Sequence, residues 1–148
     1  MYKVMFVCHG NICRSCMAEY VFKSMVDDEK ISVTSRATSF EEIGNDIYPP
    51  IKEVLKRHNI KYGKHSASRI TKDDYLENDL IIVMDDYNIT NLSRIIGSDN
   101  LGKVHKSKEF IGSKDDIMDP WYTRDFEGCF LEIYDCCVAL KEYLGKIL

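Results

Sequence analysis

Val7-Cys8-His9-Gly10-Asn11-Ile12-Cys13-Arg14-Ser15 lies between a short apolar run and a stretch whose apolar residues return at helical spacing. The chain is therefore expected to leave a strand, turn tightly and start a helix at this point. Such a junction can wrap backbone amides around a phosphate, because the first N–H groups of the helix lack partners and its dipole points its positive end at the same spot. A thiolate at Cys8 is placed to attack phosphorus. Arg14, six positions on, can fork its guanidinium onto two equatorial oxygens.

A bare C-x5-R spacing arises readily by chance in a chain with six cysteines, so the context has to carry it. Four features do so together: the preceding strand, Gly10 and Asn11 as residue types suited to tight or left-handed backbone, Ser15 directly after Arg14, and the helix start there. The amides from His9 to Ser15 are expected to point inward as an anion nest that favours both a phosphate dianion and a Cys8 thiolate, with the Ser15 hydroxyl adding a bond to the sulfur.

Working outward, Lys3 to Val7 reads as a buried strand, and Met17, Val21, Phe22 and Met25 outline a helix that runs to an acidic stop at Asp27 to Glu29. Ile31 to Ser35 reads as a second strand. Pro49, Ile51, Val54, Leu55 and His58 outline a helix ending by Asn59, and Thr71 with Asp74 caps a short one. Leu80 to Met84 is the strongest strand signal, followed by a helix capped at Asp86, with Ile89, Leu92, Ile95 and Ile96 facing inward and Gly97 as its stop. A weaker strand falls near Lys103 to His105. Phe126, Phe130, Ile133, Cys137, Leu140, Leu144 and Ile147 then mark one face of a long terminal helix. Strands alternating with helices imply an α/β fold, a doubly wound parallel sheet with right-handed crossovers, helices on both faces and ligands at the carboxyl ends of the strands.

With 148 residues, no internal repeat and no linker, the chain is expected to form one domain over residues 1–148. Apolar residues make up 45% and charged residues 30%, a globular balance, and a net charge of −4 offers no basic footprint for nucleic acid. Val4 to Val7 is too short for a signal-peptide core or a membrane span, which points to a cytoplasmic protein with no membrane partner and reduced thiols.

If the phosphate ester were that of tyrosine, its leaving group, with a pKa near 10, would need an acid during P–O cleavage. Asp119, in the stiffened stretch Asp119-Pro120-Trp121-Tyr122 before the last helix, is a candidate, although Asp-Pro alone is more often a plain turn signal.

The loop resembles that of the low-molecular-weight protein tyrosine phosphatases, V-C-x-G-N-x-C-R-S followed by P-x-A-E. Cys8 through Ser15 match, as do Ala18 and Glu19. The resemblance continues through Gly44, Pro49, His65-Ser66-Ala67, Met84-Asp85, Asn88, Asp119-Pro120 and the paired Cys136 and Cys137. It implies a four-stranded parallel sheet and hydrolysis of phosphotyrosine in a protein or peptide, or of small aryl phosphates. The reaction would run in two steps through phosphocysteine, with Asp119 as acid and then base, and without a metal or any other cofactor. It further implies that Ser35 and His65 hold the loop in shape, that Trp121 and Tyr122 wall the substrate ring, and that Cys13 forms a reversible disulfide with the nucleophile under peroxide. Ile12 resembles the phosphotyrosine enzymes, where phosphoarginine enzymes carry Thr.

Some positions depart from the pattern. Cys16 replaces a proline and puts a third thiol near Cys8; Arg36-Ala37 and Pro50-Ile51 replace Ala-Gly and Arg-Ala. Glu41 stands where members often have an aromatic, leaving Phe40 beside it as the only substitute for the second wall. Four other readings stay open at this stage. They are an arsenate reductase or a phosphoarginine phosphatase on the same fold, an iron–sulfur electron carrier using Cys8, Cys13, Cys16 and a ligand from Cys129 onward, and a phosphopeptide-binding module.

Overall fold

The computed structural model describes residues 1–148. Four strands, β1 (Tyr2–Cys8), β2 (Ile31–Ala37), β3 (Leu80–Val83) and β4 (Val104–Lys106), form one sheet in the order β2-β1-β3-β4, and every neighbouring pair is parallel. Six helices accompany them: α1 (Arg14–Lys23), α2 (Pro49–Arg57), α3 (Lys72–Glu77), α4 (Asp86–Ile96), α5 (Pro120–Thr123) and α6 (Phe126–Ile147).

Side chains on a strand alternate between faces, and the burial pattern follows that rule. Val4, Phe6 and Cys8 of β1, with Leu80 and Ile82 of β3, join a core of 28 buried residues beneath α1, α2 and α6. Met5, Val7, Ile81 and Val83 point the other way and, with Tyr75 of α3 and Leu92 of α4, belong to a core of seven. The sheet is thus covered on both faces, more thickly on the first. Residues Arg14 through Phe22 of α1 are all buried, which makes α1 a central helix rather than an amphipathic surface one.

The chain leaves β1 toward β2 on one side and returns to β3 on the other, so the sheet's order reverses beside β1 and a crevice opens past the carboxyl ends of β1 and β3. The loop at Cys8 lies there.

Some boundaries differ from the sequence expectation. Helix α1 ends at Lys23, short of Met25 and the acidic stop, where the Ser24 hydroxyl donates to the Val21 carbonyl at 2.6 Å and competes with the next helical turn. Strand β3 ends at Val83, so the cap of α4 falls on Asp85 rather than Asp86. The Asp85 carboxylate accepts from the Asn88 amide at 2.7 Å while the Asn88 side chain accepts from the Asp85 amide at 3.2 Å, a reciprocal cap that Asp86, one position on, cannot form. Ile89 is half-exposed, not inward-facing, and Ile147 on the last turn of α6 is exposed. The capping box at Thr71 and Asp74 is present as expected.

Candidate active site

Cys8 is the last residue of β1 and stays locked to the sheet, pairing with Ala37, while its carbonyl accepts from the Thr38 amide at 2.9 Å. The turn that follows depends on Asn11, whose φ of 62° is left-handed. Gly10, expected to share that role, keeps a negative φ; a Cβ there would stand 3.3 Å from Glu42 Cγ, so its small size matters instead. Asn11 tolerates the left-handed region because its short amide bonds locally. The turn brings the amides of Asn11 and Ser15 to 3.3 and 3.4 Å from Cys8 Sγ. The amides of Gly10, Ile12 and Cys13 donate to no backbone carbonyl, so they are free for an anion.

Behind the loop runs a chain of hydrogen bonds whose direction is set by its ends. Glu19, paired with Lys23 at 2.5 Å, accepts from the Ser35 hydroxyl at 2.5 Å. Ser35 Oγ and Ser15 Oγ then each accept from Asn11 Nδ2, at 2.9 and 2.8 Å. The Ser15 proton can then turn to the Arg36 carbonyl at 3.5 Å or to Cys8 Sγ, 3.1 Å away, where it gives a thiolate a third donor. His65 Nε2 stands 2.5 Å from the Asn11 carbonyl, which can only accept, so the proton sits on Nε2. Ser35 and His65 thus both hold the loop through Asn11.

Removing this hub is costly, since Ser15, Ser35 and the Ser68 amide would lose a buried partner. Asn11→Ala is expected to lose about 3 kcal/mol from those bonds and the left-handed turn, hence roughly 6 to 12 °C in Tm. Thermal denaturation showing a drop below about 2 °C would mean that the network adds no stability.

Arg14, the first residue of α1, is buried at 3% exposure. Its Nη1 donates to Asp85 Oδ2 at 2.8 Å and to the Ile117 carbonyl at 2.9 Å, and its Nη2 lies 3.6 Å from Asp119 Oδ2. Burial works against the guanidinium's charge, yet Cys8, Asp85 and Asp119 outweigh it and hold its pKa above the ordinary value. Asp119 caps α5 through Oδ1, which accepts from the Trp121 amide at 3.0 Å, so its other oxygen is the one turned toward Arg14. Pro120 at the start of α5 stiffens this arrangement.

One cavity of about 550 Å³ is lined by Cys8, His9, Gly10, Ile12, Cys13, Arg14, Asp119, Trp121 and Tyr122, all singled out in the sequence. Asn11, Ser15, Ser35 and His65 are not among its lining residues and act on the loop from behind. Phe40 does not line it either: the Arg69 guanidinium sits 4.3 Å over its ring, a contact that holds it elsewhere. Besides Trp121 and Tyr122, the cavity is lined by Tyr87 of α4, 6.4 Å from the His9 ring, and His9 Nε2 in turn pairs with Glu41 at 2.9 Å.

Tyr87, Glu42 and the Arg14-binding role of Asp85 were missed in the sequence. For Asp85 a signal existed in its spacing to Asn88, a capping box one residue earlier than assumed. Cys16 is fully buried and off the cavity, its thiol 3.2 Å from the Cys13 carbonyl. Cys129, Cys136 and Cys137 are buried on α6, and no three His, Cys, Asp or Glu side chains gather as a metal-holding group. No helix is long and apolar enough to cross a membrane.

Compared with known proteins, the chain matches the model of the family described as low molecular weight phosphotyrosine protein phosphatase over residues 3–147. It belongs to that family. It is therefore an enzyme, a phosphatase. The human low molecular weight phosphotyrosine protein phosphatase is 42% identical, the match covering 94% of this chain and 93% of the human one. The low molecular weight protein tyrosine phosphatase SP-PTP of Streptococcus pyogenes superposes with a TM-score of 0.88 at 38% identity, over 100% of this chain and 94% of that one. YwlE, solved as an arginine phosphatase bearing a phosphorylated active-site serine in place of cysteine, superposes with a TM-score of 0.87 at 28% identity, over 97% of this chain and 96% of its own. The four-stranded parallel sheet read from the resemblance is the sheet of this low molecular weight phosphatase.

Proposed function

We propose that this enzyme hydrolyses phosphotyrosine in proteins or peptides, and small aryl phosphates, through a phosphocysteine formed on Cys8. The observation that carries the reading is the meeting of Cys8, Arg14 and Asp119 on one cavity past the carboxyl ends of the strands. Arg14 Nη1 is committed to Asp85 and the Ile117 carbonyl, which leaves Nε and Nη2 as the edge for two equatorial phosphoryl oxygens. The free amides of Gly10, Ile12 and Cys13 take the remaining charge.

In the first step Cys8 Sγ bonds to phosphorus as the P–O bond to tyrosine breaks, and Asp119 Oδ2 delivers its proton to the departing phenolic oxygen. In the second, the ionised Asp119 takes a proton from water, the oxygen attacks phosphorus and the P–S bond breaks. Trp121 and Tyr122 form one aromatic wall for the substrate ring, and Tyr87 beside His9 supplies the other in place of Phe40.

Phosphate release from phosphotyrosine, phosphoserine and phosphoarginine peptides tests the reading. Phosphotyrosine is expected to lead by at least about 10²-fold in kcat/KM, and equal turnover of phosphoserine would overturn it. Four carboxylates on the cavity, Glu41, Glu42, Asp85 and Asp119, together with the likeness to YwlE, favour phosphoarginine as the second reading, which a lead by that peptide would establish. Cys129, Cys136 and Cys137 are buried and do not line the cavity, so Cys13 is the one thiol beside Cys8 there and the three add no support to arsenate reduction; the ungrouped cysteines do not suit an iron–sulfur cluster.

Peroxide is expected to convert Cys8 to a sulfenic acid that condenses with Cys13, which lines the same cavity, rather than with enclosed Cys16. The Cys13 thiol is pushed up to about 12 by burial and then by the charge of Cys8. Sulfenylation removes that charge, and the Cys13 proton leaves with the sulfenic oxygen as water. Peptide mass spectrometry should find the Cys8–Cys13 link; persistent sulfinic acid at Cys8 would refute it.

A further inference from the structure

Lys106 ends β4 with a side chain only 7% exposed, and its ammonium makes three contacts, one for each proton. Nζ lies 2.6 Å from Asp116 Oδ1, 3.0 Å from Asp86 Oδ1 and 2.6 Å from the Lys114 carbonyl. These partners belong to two different segments, the first turn of α4 and the stretch that leads into Asp119. Asp116 Oδ1 also accepts from the Asp86 amide at 3.1 Å, so the two segments are joined directly as well as through the ammonium.

The next residue extends the brace to the catalytic cavity. The Ile117 amide donates to the Met84 carbonyl at 2.9 Å, its side chain is buried, and its carbonyl holds Arg14 Nη1. Asp119 follows two positions later. From these contacts we propose that Lys106 is a positioning residue for the general acid: it anchors the stretch from Lys114 to Asp116 so that Asp119 Oδ2 faces the cavity. The inference rests on the assignment of Asp119 as the acid.

The surrounding charges suit this task. Burial alone would push the Lys106 ammonium down, but its bonds to Asp116 and Asp86 outweigh that and keep it charged. Burial likewise pushes the Asp116 carboxyl up, and the bond to Lys106 outweighs it and holds it below the usual carboxylate range. Asp116 is therefore an ionised anchor, not a proton donor. It also does not line the cavity.

Because misplacement of a reacting group by about 1 Å can cost 10²-fold, loosening this anchor should be felt where protonation of the leaving group is difficult. Lys106→Met, Lys106→Arg and the loop-side variant Asp116→Asn are to be compared on phenyl phosphate and on 2,4-dinitrophenyl phosphate, whose leaving group needs no acid. Lys106→Met and Asp116→Asn are expected to lower kcat/KM, which reports P–O cleavage and not the later hydrolysis of phosphocysteine, about 10- to 30-fold on phenyl phosphate, with the dinitrophenyl ester within about threefold of wild type and Lys106→Arg partly restoring the loss.

The decisive measurement adds Lys106→Met, and separately Asp116→Asn, to Asp119→Ala. With the acid gone, neither should slow phenyl phosphate hydrolysis further. Equal losses on both esters, no loss on either, or a further multiplicative loss in the Asp119→Ala background would each overturn the role of Lys106. If Asp119→Ala itself showed no dependence on the leaving group, the assignment of the acid would fail first, a distinguishable result.

Discussion

Cys8→Ser is expected to lower kcat/KM on a phosphotyrosine peptide by about 10⁴- to 10⁶-fold, roughly 5 to 8 kcal/mol of transition-state stabilisation. The site is built around an anion at this position: two amides and the Ser15 hydroxyl converge on the sulfur at 3.1 to 3.4 Å. A serine hydroxyl stays protonated in the same cup, and no base reaches it, because Ser15 Oγ is already committed by Asn11 Nδ2 to act as a donor. The loop's free amides and Arg14 are untouched, so competitive inhibition by inorganic phosphate should survive in a binding assay. Turnover within tenfold of wild type would remove Cys8 from the mechanism.

Asp119→Ala is the second large effect. On a phosphotyrosine peptide or phenyl phosphate, kcat/KM should fall about 10²- to 10⁴-fold, roughly 3 to 5 kcal/mol, because the phenolate then departs without a proton. Activated aryl phosphates should lose far less. Oδ1 of Asp119 caps α5 at Trp121, so alanine also costs about 1 kcal/mol of local stability, and the aromatic wall can loosen with it. Asp119→Asn retains a capping oxygen and separates the two contributions: it should keep KM while losing the leaving-group-dependent rate. Equal losses on activated and unactivated esters would assign the acid elsewhere, and Asp116 is a poor successor because its carboxylate is bound to Lys106.

What was readable in the sequence was local. The strand into Cys8, the loop and the start of α1 follow from apolar spacing and turn chemistry within some 25 residues, and the same holds for the capping box at Thr71 and the long face of α6. The resemblance extended that reading to Asp119, Ser35 and His65, all of which fall at or behind the cavity. Phe40 shows the limit: adjacency to Glu41 suggested a wall, but Arg69, 29 positions away, holds its ring elsewhere. Tyr87 carries no mark in its own neighbourhood that it will stand beside His9.

The sequence by itself determined the order of elements and the chemistry of the anion loop, because both arise from contacts between near neighbours, governed by backbone sterics, helix ends and the side-chain period. Only the tertiary structure decided which carboxylate holds Arg14, which aromatic completes the cavity and what braces the segment bearing Asp119. Those depend on the parallel sheet bringing residues such as Arg14 and Asp85, 71 positions apart, to hydrogen-bond distance, where burial makes each unpaired charge too costly to leave without a partner.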